Sequence, residues 1–395
     1  MKEVKRNLKL VMFEAIISAG LMCIPIMTPF FIDIGLNQEQ IALSQIIFTV
    51  VIMTLNIPTG WIADRFSRKW ANVIGDFGCA GAMLLYSQVQ GFSGVVGCEI
   101  MFGIFLAFSQ GVDSTLLKHF TGKLDSSGKL FKTKTAQIAA WQYVVNFVLM
   151  LLGGPIGAIS FRLAIALSSI TFLASGIAAL FIRDDSDNLV PVHKNPFKDM
   201  GRMVAVATRD KALRLRIFAF AVSREATHGI IWVFTPLMLL AGVPLAVVSL
   251  GWVINSAASF VGARVAQKLV NRLQEWQIFA IPLAMVTVGL GLMCIHFSIA
   301  TIWLYLLMGA TQGWTAATML PLIQNRVSPT EQTSIISVAK VVAQFLYIPA
   351  VWLIGVAADI KLEYSMAMTL LIFIPLGIPI LIKLFRERTP KQASS

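Results

Sequence analysis

Long apolar stretches alternate with short polar ones from one end of the chain to the other. The apolar segments cover 10–32, 38–62, 70–90, 94–117, 136–158 and 161–182, then 214–240, 245–269, 277–297, 299–325, 329–357 and 364–385. Each is close to the ~20 residues that an α-helix needs to cross the hydrocarbon of a bilayer. Lipid gives backbone groups no partners, and an open sheet would leave its edges unpaired, so the spans must be helices. The pattern predicts an all-α integral membrane protein of about twelve transmembrane helices.

The polar stretches divide this series. The longest, 184–213, holds Asp184, Asp185, Asp187, two prolines and many bases. It reads as a cytoplasmic linker between an N-terminal bundle, 1–183, and a C-terminal bundle, 214–395. The halves repeat faintly. Gly60 and Gly262 lie 202 positions apart, each near the end of a second segment, and Ser109-Gln110-Gly111 matches Thr311-Gln312-Gly313 at the same offset. Two pseudo-symmetric six-helix bundles with a binding site at the repeat interface are a common transporter plan.

Composition sharpens the class. The chain is 57% hydrophobic and 13% charged, too little charge to cover a soluble domain. Its net charge of +12 comes from bases in alternate loops: Lys2 to Lys9, Arg65 to Lys69, Lys118 to Lys134, Arg183 to Arg216, Arg264 to Arg272 and Lys383 to Lys391. That is the positive-inside pattern, with both termini cytoplasmic. The partner it implies is the lipid bilayer, not nucleic acid. Glu14 interrupts the first apolar run, so this reads as a retained helix and not a signal peptide. Cys23, Cys79, Cys98 and Cys294 lie in apolar segments without CxxC spacing, so neither a disulfide framework nor a metal site is expected. Loops expected outside, 90–94 and 241–244, leave no room for an extracellular domain.

One turn is specific. Between the second and third segments stands Pro58-Thr-Gly60-Trp-Ile-Ala-Asp64-Arg65-Phe-Ser-Arg68-Lys69. Gly60 allows two backbones to approach closely. Asp64 can face the positive end of a helix dipole. The eleventh segment opens with Ser328-Pro329-Thr330-Glu331, a capping box with proline at the first helical position, and is the candidate partner.

This pattern, G-x-x-x-D-R-x-x-R-K, resembles the signature loop of the major facilitator superfamily of transporters. The resemblance implies a conformational latch formed by Gly60, Asp64, Arg65, Arg68 and Lys69. Asp64 would dock at the eleventh helix and Arg68 would pair with Asp113 at the inner end of the fourth. In the second half, Ala266 takes the place of Asp64. Gly153-Gly154-Pro155-Ile-Gly157 resembles the tail of the glycine–proline motif of the family's antiporters. The same residues read equally as a kinked, closely packed helix. The fourth segment departs from many proton antiporters: it has no arginine near its middle, and its acids are Glu99 and Asp113.

Ionisable groups inside a membrane are expensive and tend to mark pathways. The seventh segment carries Arg224, Glu225 and His228, with 224 and 228 on one face and 225 and 228 on one face. Counted from Lys211, Glu225 lies roughly 20 Å deep at 1.5 Å per residue, and Lys340 lies roughly 18 Å beyond its cap. These two could meet near the midplane. Glu225 or Glu14 is a candidate for proton exchange, and Lys340, Arg224 or His228 for substrate. The alternative is a neutralised structural network. Asp76, Glu99 and Asp113 fall near segment ends and read as structural. Gln110, Gln142, Asn146, Asn255, Gln312, Trp314 and Gln344, with Trp141 and Trp232, are candidate cavity residues.

The chain has no phosphate-cradling P-loop and no hydrolase or zinc-protease pattern, so no enzyme and no cofactor is expected. Energy would come from a proton gradient. The resulting expectation is a secondary active transporter, monomeric and in a bacterial inner membrane, that exports a small organic molecule in exchange for protons. Import of an anionic or zwitterionic metabolite or siderophore is the first alternative, and a non-transporting membrane sensor the second.

Overall fold

The structure is a computed structural model of the chain and describes residues 2–65, 67–110, 112–183, 201, 205, 207–208, 210–327 and 332–387. The expected capping box at Ser328–Glu331, Gly111 and most of the linker lie outside the described residues. So do the side chains of Gly60, Asp64 and Arg65. Every regular element among the described residues is helical.

Contacts divide the chain into two compact units. One comprises Met1–Leu36, Ser44–Pro196 and Leu245–Ser249; the other comprises Asn37–Leu43, Phe197–Pro244 and Leu250–Ser395. The first holds α1 (Lys2–Ile17), α2 (Met27–Asp33), α3 from Ser44 onward (Gln38–Arg65 in full), α4 (Arg68–Tyr86), α5 (Gly91–Ser109), α6 (Val112–Gly122), α7 (Lys129–Ile159) and α8 (Phe161–Leu180). The second holds α9 (Lys211–His228), α10 (Ile231–Leu240), α11 from Leu250 onward (Leu245–Leu269 in full), α12 (Glu275–Ile295), α13 (Leu306–Gln324), α14 (Gln332–Ile360) and α15 (Tyr364–Glu387). The first turns of α3 and α11 thus belong to a different unit from the rest of their helices.

Nine helical segments among the described residues are long and apolar enough to cross a membrane. The other three expected spans are α1 with α2, α4, and α13. These carry Glu14, then Asn72 and Asp76, then Thr311 and Gln312, and the polar side chains lower their hydropathy. Three expected spans are also broken. The first divides into α1 and α2 around a 3-10 turn at Ile24–Ile26, where Pro25 lacks the N–H that an uninterrupted helix needs. The fourth breaks at Gln110, whose backbone is extended, giving α5 and α6. The seventh breaks after Gly229, giving α9 and α10.

In the first unit Val11, Leu116, Phe120, Ala179 and Ile182 form a fully buried core. In the second, Phe234 stacks on Tyr305 at 3.8 Å and meets Trp252 edge-on, and Trp252 Nε1 donates to Thr235 Oγ1 at 2.8 Å. Exposed Phe147, Val148, Leu152, Ile170 and Ile177 form apolar surface that lipid can cover.

The repeat read from the sequence has a structural counterpart in each unit. In the second, α11 and α13 touch backbone to backbone. A Cβ on Gly262 would stand 2.2 Å from Ala310 O, and one on Gly313 would stand 1.8 Å from Ser259 O. In the first, Thr59 Oγ1 of α3 donates to Ala107 O of α5 at 2.8 Å. Small residues permit these close approaches. The glycine–proline stretch of α7 serves the same end, since Gly153 faces Met22 O, Gly157 faces Ile26, and Gly154 faces the head of α11 at Ser249.

Candidate functional site

The polar face of the second unit is built by α9, α10 and α14. Asp210 starts α9 by accepting the backbone N–H groups of Ala212 and Leu213, a standard N-cap arrangement. From there Arg224 and His228 lie four apart, on one side of α9, and Trp232 follows on α10 beyond the break. His228 Nδ1 lies 3.2 Å from the Arg224 carbonyl. On α14, Lys340, Gln344 and Tyr347 repeat at four and three, again on one side. The two rows are joined where Trp232 Nε1 donates to Tyr347 Oη at 3.1 Å. Lys340 is exposed and the other five are half-buried.

Glu225 is different. It is fully buried, its Oε1 is bound to Arg224 Nη1, and its Oε2 has no partner among the described residues. The sequence suggested that Glu225 and Lys340 meet. In the structure Glu225 is held by its chain neighbour Arg224, and Lys340 has no ion-pair partner among the described residues. A charged pair joined at one oxygen leaves the second carboxylate oxygen as the site where a proton can be added.

A second ionisable cluster lies inside the first unit. Asn72 of α4 donates its amide to Glu14 of α1 and, at 2.8 Å, to Asp113 Oδ1 of α6. Ser175 of α8 donates to Asp76 Oδ2. Glu14, Asn72 and Asp76 are almost fully buried. Glu99 of α5 is buried too and accepts from Gln45 of α3. The expectation that Asp76 and Glu99 sit near helix ends is corrected here. Helices α4 and α5 start earlier than the apolar runs suggest, and α5 ends at Ser109, so both acids fall mid-helix. The resemblance implied Arg68 as the partner of Asp113; Arg68 is buried at the start of α4, and Asp113 accepts from Asn72.

The turn after α3 is short: the helix ends at Arg65 and α4 begins at Arg68, capped by Ser67, which accepts from Trp70 N at 3.3 Å. Arg68 is buried, and Lys69 Nζ lies 5.6 Å from the Trp70 ring centroid, a cation–π distance.

The remaining candidates divide by what they touch. Gln142 Nε2 donates to Ala15 O at 2.7 Å, tying α7 to α1, and Asn146 bonds back to Gln142 O in its own helix. Asn255 is buried against Gly309. Trp314 is buried and donates to Ile278 O at 2.9 Å, facing α12. Gln142, Asn255 and Trp314 thus hold helices together, while Asn146 bonds within α7. Gln344 lies on the partly exposed row of α14, Gln312 is half-buried, and Gln110 is exposed at the α5–α6 break. Tyr347 was missed. Its spacing of seven from Lys340 was the available signal.

Comparison with known proteins agrees with this fold. Residues 10–351 match the Major Facilitator Superfamily, and the chain belongs to that family. Its fold matches the nucleoside transporter NupG (12% identity, 99% of this chain and 100% of that one, TM-score 0.77). It also matches a bacterial homologue of the human lysosomal transporter Spinster in an inward-facing, unoccupied conformation (11% identity, 99% and 98%, TM-score 0.73). No curated protein matches by sequence. The chain is therefore an integral membrane transporter of the superfamily fold, not an enzyme.

Proposed function

We propose that this transporter exports a small organic solute bearing a carboxylate, by alternating access and in exchange for protons. The observation that carries the reading is the pair of partly exposed rows on α9–α10 and α14 beside a buried carboxylate. Arg224 and Lys340 supply two cationic heads for an anionic or zwitterionic solute, with His228, Gln344, Trp232 and Tyr347 as orienting groups. Glu225 carries the proton on its open oxygen, and its grip on Arg224 links proton occupancy to the solute-facing row. The Glu14–Asn72–Asp113 cluster is the second candidate relay.

The export direction draws on the first-half motifs, which resemble the efflux branch. Gly60, Asp64, Arg65, Arg68, Lys69 and Asp113 form the latch in this account. The protein works as a monomer in a bacterial inner membrane, with both termini on the cytoplasmic side, as the distribution of bases implies.

Proteoliposomes test the proposal with a panel of radiolabelled carboxylate and zwitterionic solutes. Accumulation driven by an acidic lumen is the expected outcome for exchange. Accumulation driven only by an acidic exterior assigns import instead, and no response to either gradient removes proton coupling.

A further inference from the structure

The second unit carries a groove, of about 740 Å³, that the transport reading does not use. It runs along α9, α14 and α15. Its walls are apolar: Phe218, Val222, Leu346, Leu376 and Ile380 line it, with Pro375 and Pro379 of α15 between them. Phe218 and Leu376 are exposed, so this is surface and not packed core. The wall along α9 from Lys211 to Val222 is about 16 Å long at 1.5 Å per residue. That is the depth of one leaflet of a ~30 Å hydrocarbon core.

One end of the groove is basic. Lys211 and Arg214 come from the first turn of α9, and Lys383 and Arg386 from the last turns of α15. Among the described residues Lys211 and Lys383 have no ion-pair partner, and Arg214 donates to the Thr208 carbonyl at 3.3 Å. The single acid at the rim, Glu387, is already engaged by Arg216 at 3.2 Å. The rim therefore keeps an excess of positive charge directly at the mouth of an apolar slot. Bases at helix ends are ordinary topology signals. Four of them converging from two helices on one apolar groove need a further reason.

From this geometry we infer that the groove is a binding site for an anionic phospholipid. The headgroup phosphate lies among Lys211, Arg214, Lys383 and Arg386, and one acyl chain lies along Phe218, Leu346 and Leu376. Charge complementarity selects the occupant: a phosphate monoanion answers the basic rim, and only an attached chain answers the apolar wall. A zwitterionic lipid would bring its own cation to the same place. The site rests on the second unit alone and stands whether or not Glu225 carries a proton.

The test uses the purified full-length chain in detergent, titrated with dioleoyl phosphatidylglycerol or with dioleoyl phosphatidylcholine. Native mass spectrometry and thermal unfolding are the readouts. Phosphatidylglycerol should be retained as a single adduct and raise the melting temperature, while phosphatidylcholine does neither. The double variant Arg214→Gln/Lys383→Gln removes two surface charges and should weaken retention roughly thirtyfold. Leu346→Trp fills the slot and should weaken retention with all four bases in place. Equal retention of both lipids by the unaltered protein would overturn the inference without recourse to any variant. Equal stabilisation by inorganic phosphate alone would make the rim a free-anion site and would also overturn it, as would full retention by the double variant.

Discussion

Asp359, near the end of α14, closes the head of α3 with both carboxylate oxygens: Oδ1 accepts the Gln38 N–H at 2.7 Å and Oδ2 accepts the Glu39 N–H at 2.9 Å. Trp352 Nε1 adds a bond to Glu39 Oε1 at 3.0 Å. An acid at the positive end of a helix dipole satisfies two donors that the helix cannot satisfy itself. Residues 37–43 belong to the second unit, as Asp359 does, while α3 from Ser44 onward belongs to the first.

Removing the Asp359 cap should have two effects. Asp359→Ala should lower stability by about 1 kcal/mol, the usual cost of a lost cap. It should also speed maleimide labelling of a cysteine introduced by Gln38→Cys, a position buried in the native protein. Labelling at the native rate would show that the cap does not hold this turn.

The contact between α11 and α13 makes a sharper packing prediction. A Cβ on Gly313 would stand 1.8 Å from Ser259 O, a backbone atom that can yield only if a helix moves. Gly313→Ala should cost about 1–3 kcal/mol of stability, read as a lower melting temperature. Gly291 has open space at its Cβ position, and Gly291→Ala should be neutral or stabilise by about 0.5–1 kcal/mol. Equal behaviour of the two variants would contradict the close approach.

The turn before α7 predicts a pH effect. Asp125 accepts from Ser127 N, Ser127 Oγ and Leu130 N at 2.9, 2.6 and 2.8 Å. The Ser127 hydroxyl first, then the backbone donors, hold its carboxyl below the usual aspartate range. A depressed acid contributes above its unfolded titration value and loses that contribution as pH falls through the folded one, so the loss lies below roughly pH 4. Protection of the amides at residues 127–131, measured against their intrinsic exchange rates, should fall on acidification there, and Asp125→Ala should show the low protection at neutral pH. Protection factors that stay the same across that pH range in the native protein would rule the turn out as the lock on α7.

Much of the fold was legible from hydropathy alone, because lipid imposes one requirement on every span. The breaks at Gln110 and Gly229 were not, since the apolar segments 94–117 and 214–240 were each read as one continuous span across them. The Asn72 bridge between Glu14 and Asp113 was hidden for another reason. Its members sit on α1, α4 and α6, and only packing brings them together. Asp359 was invisible for the same reason, being 321 residues from its partner Gln38. Within the site, Arg224, Glu225 and His228 stood out because charges are rare in apolar segments. Their division into one buried acid and a partly exposed row needed the helix faces.

Lys340 tests the solute side of the account. A hydrogen bond to a charged group is worth ~1.5–3 kcal/mol, so Lys340→Gln should raise the half-saturation constant for a carboxylate solute roughly tenfold to a hundredfold. Transport of an uncharged analogue should change little. An unaltered constant for carboxylates would take Lys340 out of the binding row.

Coupling through Glu225 is the central claim, and solute-induced proton movement tests it most directly. Proteoliposomes are loaded with a trapped pH-sensitive dye, a transported solute is added, and the native protein is compared with Glu225→Gln. The account predicts a lumenal pH change with the native protein and none with the variant, while solute-for-solute exchange across the variant persists. Equal proton movement by both proteins would contradict it.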